Sequence, residues 1–123
     1  MKIGIDIANQ SELINIINSE KYRDFLFTKN EIQYTDGFSF NRKLEFLTGR
    51  FCTKEAVVKA LGIGFLTRKK VTWKDIEILK INNAPTVVLH NNVKYFFTEK
   101  GYRNIEVSIT HKKETVISVV LIH

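Results

Sequence analysis

Residues Phe46 to Gly64, FLTGRFCTKEAVVKALGIG, have the spacing of one long helix that ends at glycines. At about 100° per residue, apolar side chains cover most of its circumference. The stretch therefore predicts a central helix that is buried on nearly all sides. Gly62 and Gly64 supply the stop signal, because glycine readily adopts the left-handed conformation that ends helices. The apolar positions are Leu47, Phe51, Val57, Val58, Ala60 and Leu61.

One narrow polar strip interrupts this apolar surface. It consists of Thr48, Cys52, Glu55 and Lys59. Glu55 and Lys59 are four residues apart, so on a solvated face they would form an ordinary helix ion pair worth roughly 0.2–0.5 kcal/mol. The strip is narrow and bordered by the apolar side chains of Phe51 and Ala56. A carboxylate and an ammonium between apolar walls favour a functional site over a simple surface pair.

The composition of the 123 residues is typical of one globular domain, which we expect to extend over residues 1–123. No apolar run approaches the roughly 20 residues of a membrane span, and the start of the sequence lacks a signal-peptide pattern. The single cysteine, Cys52, excludes an internal disulfide and fits a reducing cytoplasm. These features predict a cytoplasmic protein that does not bind a membrane.

The net charge of +6 favours an anionic partner. Nucleic acid, an acidic protein and a phosphorylated small molecule all fit, and charge alone does not choose among them. The basic residues Arg42, Lys43, Arg50 and the cluster Arg68–Lys70, which we expect in a loop, are by default solvated surface. A basic nucleic-acid-binding module is therefore one open interpretation, which would contact phosphates through these side chains.

The chain opens with KIGIDI at residues 2–7, which alternates like a strand. Three isoleucines share one face, and Gly4 and Asp6 share the other. A lone carboxylate on such a strand can simply be solvated. Gly4 raises the alternative of a site, because a missing side chain lets backbone or ligand approach closely.

Short helices are predicted between this strand and the central helix. Asn9 or Ser11 can cap a helix that continues through residue 17. Thr28 and Glu31 have the spacing of a capping box, which predicts a second short helix. Residues 38–42 lead into the central helix.

Strands dominate the second half of the chain. Asn91 or Asn92 caps a helix that ends at Gly101, and residues 82–85 form a turn. The predicted strands are residues 75–81, 86–90, 105–111 and 116–122, the last two forming a hairpin. A strand and helices followed mostly by strands indicate an α+β domain.

Asp6, Glu55 and His111 are the candidate chemical groups, although His111 can also be an exposed residue at a strand end. Two carboxylates without a third acid or histidine nearby suit Mg²⁺ better than zinc. Mg²⁺ usually completes its shell with waters and substrate phosphates, which agrees with the basic surroundings. Cys52 has no base partner in the pattern and is expected to pack.

Five blocks of sequence resemble one enzyme family. They are GIDI at 4–7, FLTGRFCTKEA at 46–56, KALG at 59–62, DIE at 75–77 and VSITH at 107–111. Together they are similar to holo-[acyl-carrier-protein] synthase, the short type of 4′-phosphopantetheinyl transferase, over almost the whole chain. The resemblance implies that family's α+β fold, with an N-terminal strand, a long buried central helix and antiparallel strands mainly in the C-terminal half.

The resemblance also implies an activity that supports fatty acid and lipid biosynthesis. Such enzymes transfer 4′-phosphopantetheine from coenzyme A to a serine of an apo acyl carrier protein and release adenosine 3′,5′-bisphosphate. The implied cofactor is Mg²⁺. The implied assembly is a homotrimer whose sites lie between neighbouring subunits, and no nucleic acid is expected as a partner.

The matching positions imply roles for individual residues. Asp6 and Glu55 match the metal ligands, and Glu55 is also the candidate base for the carrier serine, directly or through water. Lys59 matches the lysine that stabilises charge on the phosphates. The coenzyme A-binding positions are Arg42, Phe46, Arg50, Lys59, Gly62 and His111. Of these, the two arginines, Phe46 and His111 are expected to hold the nucleotide end from the adjacent subunit.

Some positions depart from the family pattern. Asn9 and Glu12 stand where the family commonly has a glutamate and a carrier-docking arginine, and Phe25 replaces another frequent arginine. The turn that is usually Gly-x-Pro is Asn83-Ala84-Pro85 here. A catalytically silent, coenzyme A-binding homologue is therefore a further alternative. The presence of all three catalytic positions favours the transferase.

Overall fold

A computed structural model describes residues 1–64 and 71–123; the predicted basic loop at Arg68–Lys70 lies outside the described residues. The described elements follow the predicted α+β order, with one strand and several helices first and mostly strands later. They are β1 (Lys2–Asn9), a 3₁₀ turn (Gln10–Leu13), α1 (Ile14–Ile17), α2 (Glu20–Leu26), α3 (Lys29–Gln33), α4 (Phe40–Leu61), a second 3₁₀ turn (Trp73–Asp75), β2 (Ile76–Ile81), β3 (Ala84–Leu89), α5 (Asn91–Glu99), β4 (Ile105–Lys112) and β5 (Thr115–Ile122).

Two antiparallel sheets surround α4. One has the strand order β1-β5-β4, and the other pairs β2 with β3. α4 packs across β1, and the contact is closest at Gly4, where an added Cβ would lie 2.0 Å from the carbonyl oxygen of Ala56. No side chain fits at that distance, so Gly4 brings the strand directly onto the helix backbone. The predicted close approach at Gly4 is confirmed.

The central helix is longer than the sequence pattern indicated. It begins at Phe40 rather than Phe46, because the Ser39 hydroxyl accepts a hydrogen bond from the backbone N–H of Arg42 at 3.3 Å and caps the first turn. It ends as predicted at Gly62, whose φ of 68° is the left-handed conformation. Twelve of its 22 residues are buried, and these include the charged Arg50 and Lys54.

The alternation of β1 is confirmed, but its apolar face is the exposed one. Gly4 and Asp6 face α4, and Asp6 is only 8% exposed, so the alternative of a solvated carboxylate is wrong. The isoleucines on the other face are 58–69% exposed. In the pairing register they stand opposite half-buried apolar residues of β5. We call this surface the outer sheet face; it consists of Ile3, Ile5, Ile7, Ile117, Val119 and Leu121.

A buried ion pair fastens α4 to the elements before and after it. The Lys54 ammonium donates to Glu31 Oε1 at 2.7 Å and to the carbonyl oxygens of Leu26 and Trp73 at 2.8 and 3.2 Å. The other Glu31 oxygen accepts from the backbone N–H of Ile78 at 2.9 Å. Both charges are therefore satisfied, as burial requires.

Local differences from the prediction concern turns and one helix. α2 was not predicted, although Ser19 accepts a hydrogen bond from the Tyr22 backbone and caps it. The turn after β2 consists of Asn82 and Asn83, both at positive φ, so Ala84-Pro85 belongs to β3. The capping box of Thr28 and the C-terminal hairpin are confirmed. In the described ranges, 1–64 and 71–123, no helix combines the length and hydrophobicity needed to cross a bilayer.

Candidate active site

The first group of predicted site residues lies where β1 crosses the C-terminal half of α4. We call Asp6, Glu55 and Lys59 the carboxylate cluster. The Lys59 ammonium donates to Asp6 Oδ1 at 2.8 Å and to the carbonyl oxygen of Ile5 at 3.1 Å. The ion pair of Lys59 is thus with the strand, not with its helix neighbour Glu55. An ordinary helix ion pair between Glu55 and Lys59 is therefore not what this ammonium forms, and the interpretation of these residues as a site stays a prediction.

Glu55 lies half-buried beside Asp6. Burial is the main cause that raises the pKa of the Glu55 carboxyl to about 7, and a hydrogen bond with Asp6 and repulsion by its charge add to the effect. The positive charge of Lys59 lowers the pKa of Glu55, whereas the nearby negative charge of Glu12 raises it. Two carboxyl groups this close hold more negative charge than one ammonium balances. The cluster can therefore accept a further cation, or Glu55 can accept a proton near neutral pH.

The buried Cys52 side chain of α4 contacts the backbone of β1. Its Sγ donates to the carbonyl oxygen of Asp6 at 3.3 Å, and burial raises the pKa of the thiol to about 12. The thiol therefore stays protonated, and the prediction that Cys52 packs is confirmed.

The donor set of the cluster is that of a hard cation. Within residues 1–64 and 71–123, no group of three or more His, Cys, Asp or Glu side chains could hold a metal ion. Two carboxylates remain, Asp6 and Glu55, which is the number Mg²⁺ uses when substrate phosphates and waters complete its shell. Zinc would need more nitrogen or sulfur ligands than this site offers.

The second group lies on the N-terminal half of α4. Arg42, Phe46, Arg50 and His111 line one pocket of 170 Å³ together with Glu45, Gly49, Ile109 and Val116. We call it the arginine pocket. His111 Nε2 lies 3.1 Å from Glu45 Oε1, so β4 contributes to the pocket wall through an ion pair to α4 whenever the imidazole is protonated. The structure thus brings His111 of β4 to three residues that are spaced four apart on α4.

Arg50 is the unusual member of the arginine pocket. Its residue is only 8% exposed, and its Nε is buried without a hydrogen-bond partner. Burial lowers its pKa to about 10, against opposing attraction from Glu31 and Tyr34, so the guanidinium stays charged at neutral pH. The guanidinium carbon lies 3.6 Å from the centre of the Phe46 ring. A buried cation with an uncommitted donor is suited to binding an anion.

The two groups do not converge within one chain. At 100° per residue, the face of Arg42, Phe46 and Arg50 is about 160° around α4 from that of Glu55 and Lys59. Phe46 and Glu55 are also separated by about 14 Å along the axis. Gly62, at the C-terminal end of α4, lies near the carboxylate cluster in sequence and not in the arginine pocket.

Sequence reasoning missed the aromatic support of the arginine pocket. Tyr34 and Phe38 pack on Phe46, and Glu45 pairs with His111. The available signal was weak, because aromatic residues at 34 and 38 have no pattern that distinguishes support of a pocket from core packing.

Comparisons with known proteins agree along nearly the whole chain. Residues 2–120 match the family described as the 4'-phosphopantetheinyl transferase superfamily. A holo-[acyl-carrier-protein] synthase of Chlamydia caviae is 39% identical over 124 residues, which cover 98% of this chain and 96% of that protein. The synthase of Clostridium kluyveri is 37% identical over 118 residues, which cover 94% of this chain and 84% of that protein.

Solved structures show the same likeness. The Helicobacter pylori holo-[acyl-carrier-protein] synthase in complex with coenzyme A has a TM-score of 0.81 and 27% identity, covering 98% of this chain and 99% of that one. The Bacillus anthracis holo-(acyl-carrier-protein) synthase in complex with CoA (3',5'-ADP) has a TM-score of 0.78 and 29% identity, covering 98% and 94%.

Proposed function

This chain belongs to the 4'-phosphopantetheinyl transferase superfamily as an enzyme of the holo-[acyl-carrier-protein] synthase type, and we propose that it transfers 4′-phosphopantetheine from coenzyme A to a serine of an apo acyl carrier protein. The observation that carries the proposal is that two regions of opposite charge lie along α4, the carboxylate cluster and the arginine pocket. A cationic pocket suits the phosphorylated nucleotide, and a carboxylate cluster suits the cation and the proton transfer that the reaction needs.

The nucleotide end of coenzyme A would occupy the arginine pocket. The unpaired Nε of Arg50 supports this, because a phosphate oxygen would satisfy a donor that is otherwise buried alone. Arg42 and His111 line the same pocket and would add charge around the phosphate. The ring of Phe46 packs against the guanidinium of Arg50 in this pocket. Two structural relatives are complexes with coenzyme A or its nucleotide, which supports coenzyme A as the ligand of this chain.

Asp6 and Glu55 would hold Mg²⁺, since each carboxylate influences the other and Lys59 alone does not balance their charge. When bound, Mg²⁺ would neutralise charge on the pyrophosphate of coenzyme A. The two carboxylates also keep this end of the site selective for hard cations.

The residues of the chain then divide the transfer step between them. Glu55, directly or through a water, accepts the proton of the carrier serine. The serine oxygen forms a bond to the phosphorus that carries pantetheine, and the bond from that phosphorus to the bridging pyrophosphate oxygen breaks. The leaving group is adenosine 3′,5′-bisphosphate. Lys59, which Asp6 and the Ile5 carbonyl hold at the edge of the cluster, donates to the phosphate oxygens as their charge grows.

The same geometry supports our proposal that the sites are shared between subunits of a homotrimer. The two charged groups face away from each other on α4, so one coenzyme A would need Asp6, Glu55 and Lys59 of one subunit and the arginine pocket of a neighbour. The outer sheet face supports assembly, because isoleucines exposed by 58–69% on one strand form the kind of apolar patch that interfaces cover.

We further assign residues 1–123 to a single phosphopantetheinyl transferase domain that works in the cytoplasm in fatty acid biosynthesis. The basic surface would then attract the carrier, an acidic protein, rather than nucleic acid. A nucleic-acid-binding module would bind in a steeply salt-dependent way without Mg²⁺ or coenzyme A.

The direct test is mass spectrometry of the carrier. An apo acyl carrier protein incubated with this protein, coenzyme A and Mg²⁺ should gain the mass of phosphopantetheine. A catalytically silent homologue would bind coenzyme A and leave the carrier mass unchanged. Glu55→Ala is the matched negative control, and replacing the carrier serine by alanine should abolish the mass gain.

A further inference from the structure

The Phe46 ring in the arginine pocket is covered on both faces. The guanidinium carbon of Arg50 lies 3.6 Å from the ring centre. The Tyr34 ring stacks on Phe46 with a centroid distance of 4.8 Å and an interplanar angle of 16°. A guanidinium that close to the ring centre leaves no room for a second ring on its face, so Tyr34 covers the opposite one. The order of the stack is Tyr34, Phe46, Arg50.

Phe38 braces this stack from the side. Its ring meets Tyr34 edge-on at 6.0 Å and 83°, and meets Phe46 edge-on at 5.9 Å and 84°. Stacked and edge-to-face pairs are the two favoured aromatic geometries, so the three rings hold one another in fixed orientations. Phe38 also carries the guanidinium of Arg42, whose carbon lies 4.2 Å from its ring centre. The rings thus orient both arginines of the pocket.

The orientation of Arg50 depends on this support. Its Nε makes no hydrogen bond, although the residue is only 8% exposed. The contact with the Phe46 ring therefore takes a large part in fixing the plane of the guanidinium. Recognition of a phosphate by arginine requires that plane to be aligned with the oxygens.

We propose that Tyr34 is a positioning residue for the phosphate that Arg50 binds. By pressing on Phe46 from the face opposite Arg50, it keeps the guanidinium donors directed into the arginine pocket. The proposal rests on the proposed function, because the phosphate belongs to the nucleotide end of coenzyme A. Tyr34 is 44% exposed and lies at the C-terminal end of α3, so it supports the pocket without belonging to the buried core.

The test is the affinity for adenosine 3′,5′-bisphosphate, measured by calorimetry. Tyr34→Leu removes the stacking face and should weaken binding about three- to tenfold. The KM for coenzyme A should rise by the same factor while kcat and the KM for the carrier stay unchanged. Tyr34→Phe keeps the stack and should bind like wild type. Tyr95→Leu, at an exposed tyrosine on α5, is the matched control and should have no effect.

Each outcome decides between the proposals. Equal affinity of Tyr34→Leu and wild type would overturn the role of Tyr34 and leave the proposed function standing. A loss in Tyr34→Phe as large as in Tyr34→Leu would also overturn it, because the stack is retained there. If Tyr34→Leu does not fold, Tyr34→Met replaces it under the same criteria. A wild-type protein that does not bind adenosine 3′,5′-bisphosphate would instead contradict the proposed function.

Discussion

The two regions along α4 differ in how their charged side chains are bonded. In the carboxylate cluster, Lys59 pairs with Asp6, and the neighbouring Asp6 carboxylate helps to raise the pKa of Glu55 to about 7. In the arginine pocket, Arg50 is buried and its Nε has no hydrogen-bond partner. The first region has more carboxylates than ammonium groups, and the second contains a buried cation whose guanidinium lies over an aromatic ring.

In the proposed function, this difference separates a reaction centre from a binding pocket. Glu55 would have to exchange a proton and hold a cation in the proposed reaction, and its raised pKa of about 7 suits the proton transfer. A pocket that only holds a phosphate needs permanent charge in a fixed direction, which Arg50 on Phe46 supplies. Substitutions in the carboxylate cluster should therefore reduce kcat, and substitutions in the arginine pocket should raise KM for coenzyme A.

The largest effect is expected from the carboxylates. Asp6→Ala or Glu55→Ala should slow transfer at least about a hundredfold, which corresponds to roughly 2.7 kcal/mol of barrier. Initial rates on an apo carrier measure the loss, and a chelator should stop the wild-type enzyme until Mg²⁺ is added back. Glu99→Ala, on the exposed end of α5, is the control. Near-normal transfer by Asp6→Ala would remove the metal assignment.

Lys59 should come next. Lys59→Met should lower kcat roughly ten- to a hundredfold, because the ammonium meets charge that develops on the phosphates during transfer, with some screening by solvent. The fold should be retained, since the side chain is 58% exposed. Lys94→Met on α5 is the control. Unaltered kinetics with only a lower melting temperature would reduce Lys59 to a structural partner of Asp6.

Arg50 should separate binding from chemistry. Arg50→Ala should raise the KM for coenzyme A roughly tenfold or more, because a hydrogen bond to a charged group is lost. Arg50→Lys should recover little of this, since an ammonium keeps the charge but not the planar donors stacked on Phe46. Steady-state kinetics with varied coenzyme A distinguish the cases. A pure kcat effect at unchanged KM would contradict the division between the two regions.

The smallest effect concerns the carrier. Glu12 accepts a hydrogen bond from the backbone N–H of Asn9 at 3.3 Å, and its negative charge contributes to the raised pKa of Glu55. Glu12→Arg should lower the KM for acidic carriers about threefold, leave coenzyme A affinity unchanged and make the reaction more salt-sensitive. Glu12→Gln keeps the capping hydrogen bond and isolates the charge. No change on two unrelated apo carriers would place Glu12 outside the docking surface.

Much of this arrangement could be predicted from the sequence. The polar strip on an apolar helix identified Glu55 and Lys59, and Gly4 beside Asp6 indicated a close approach on β1. Both signals are local, because helix periodicity and a missing side chain are read directly from neighbouring residues. The family resemblance added the arginine pocket residues, which the structure places in one pocket.

The rest depends on contacts between distant residues. The alternation of β1 did not reveal that its isoleucines face outward, since a period of two does not say which face is buried. The ion pair of Lys59 with Asp6 and the stack of Tyr34 on Phe46 join residues from different elements, which no local pattern specifies. The start of α4 was missed because the first helical turn after Ser39 contains few apolar residues.

The proposal that the two regions act together across a subunit boundary has one direct test. Glu55→Ala and Arg50→Ala subunits, each inactive at low coenzyme A, are unfolded together, refolded as a mixture and assayed by carrier mass. If each site takes its carboxylates from one subunit and its arginine pocket from a neighbour, about a quarter of randomly formed sites carry both wild-type halves, so activity should return. A mixture as inactive as its components, or a wild-type monomer in sedimentation that is fully active, would contradict shared sites.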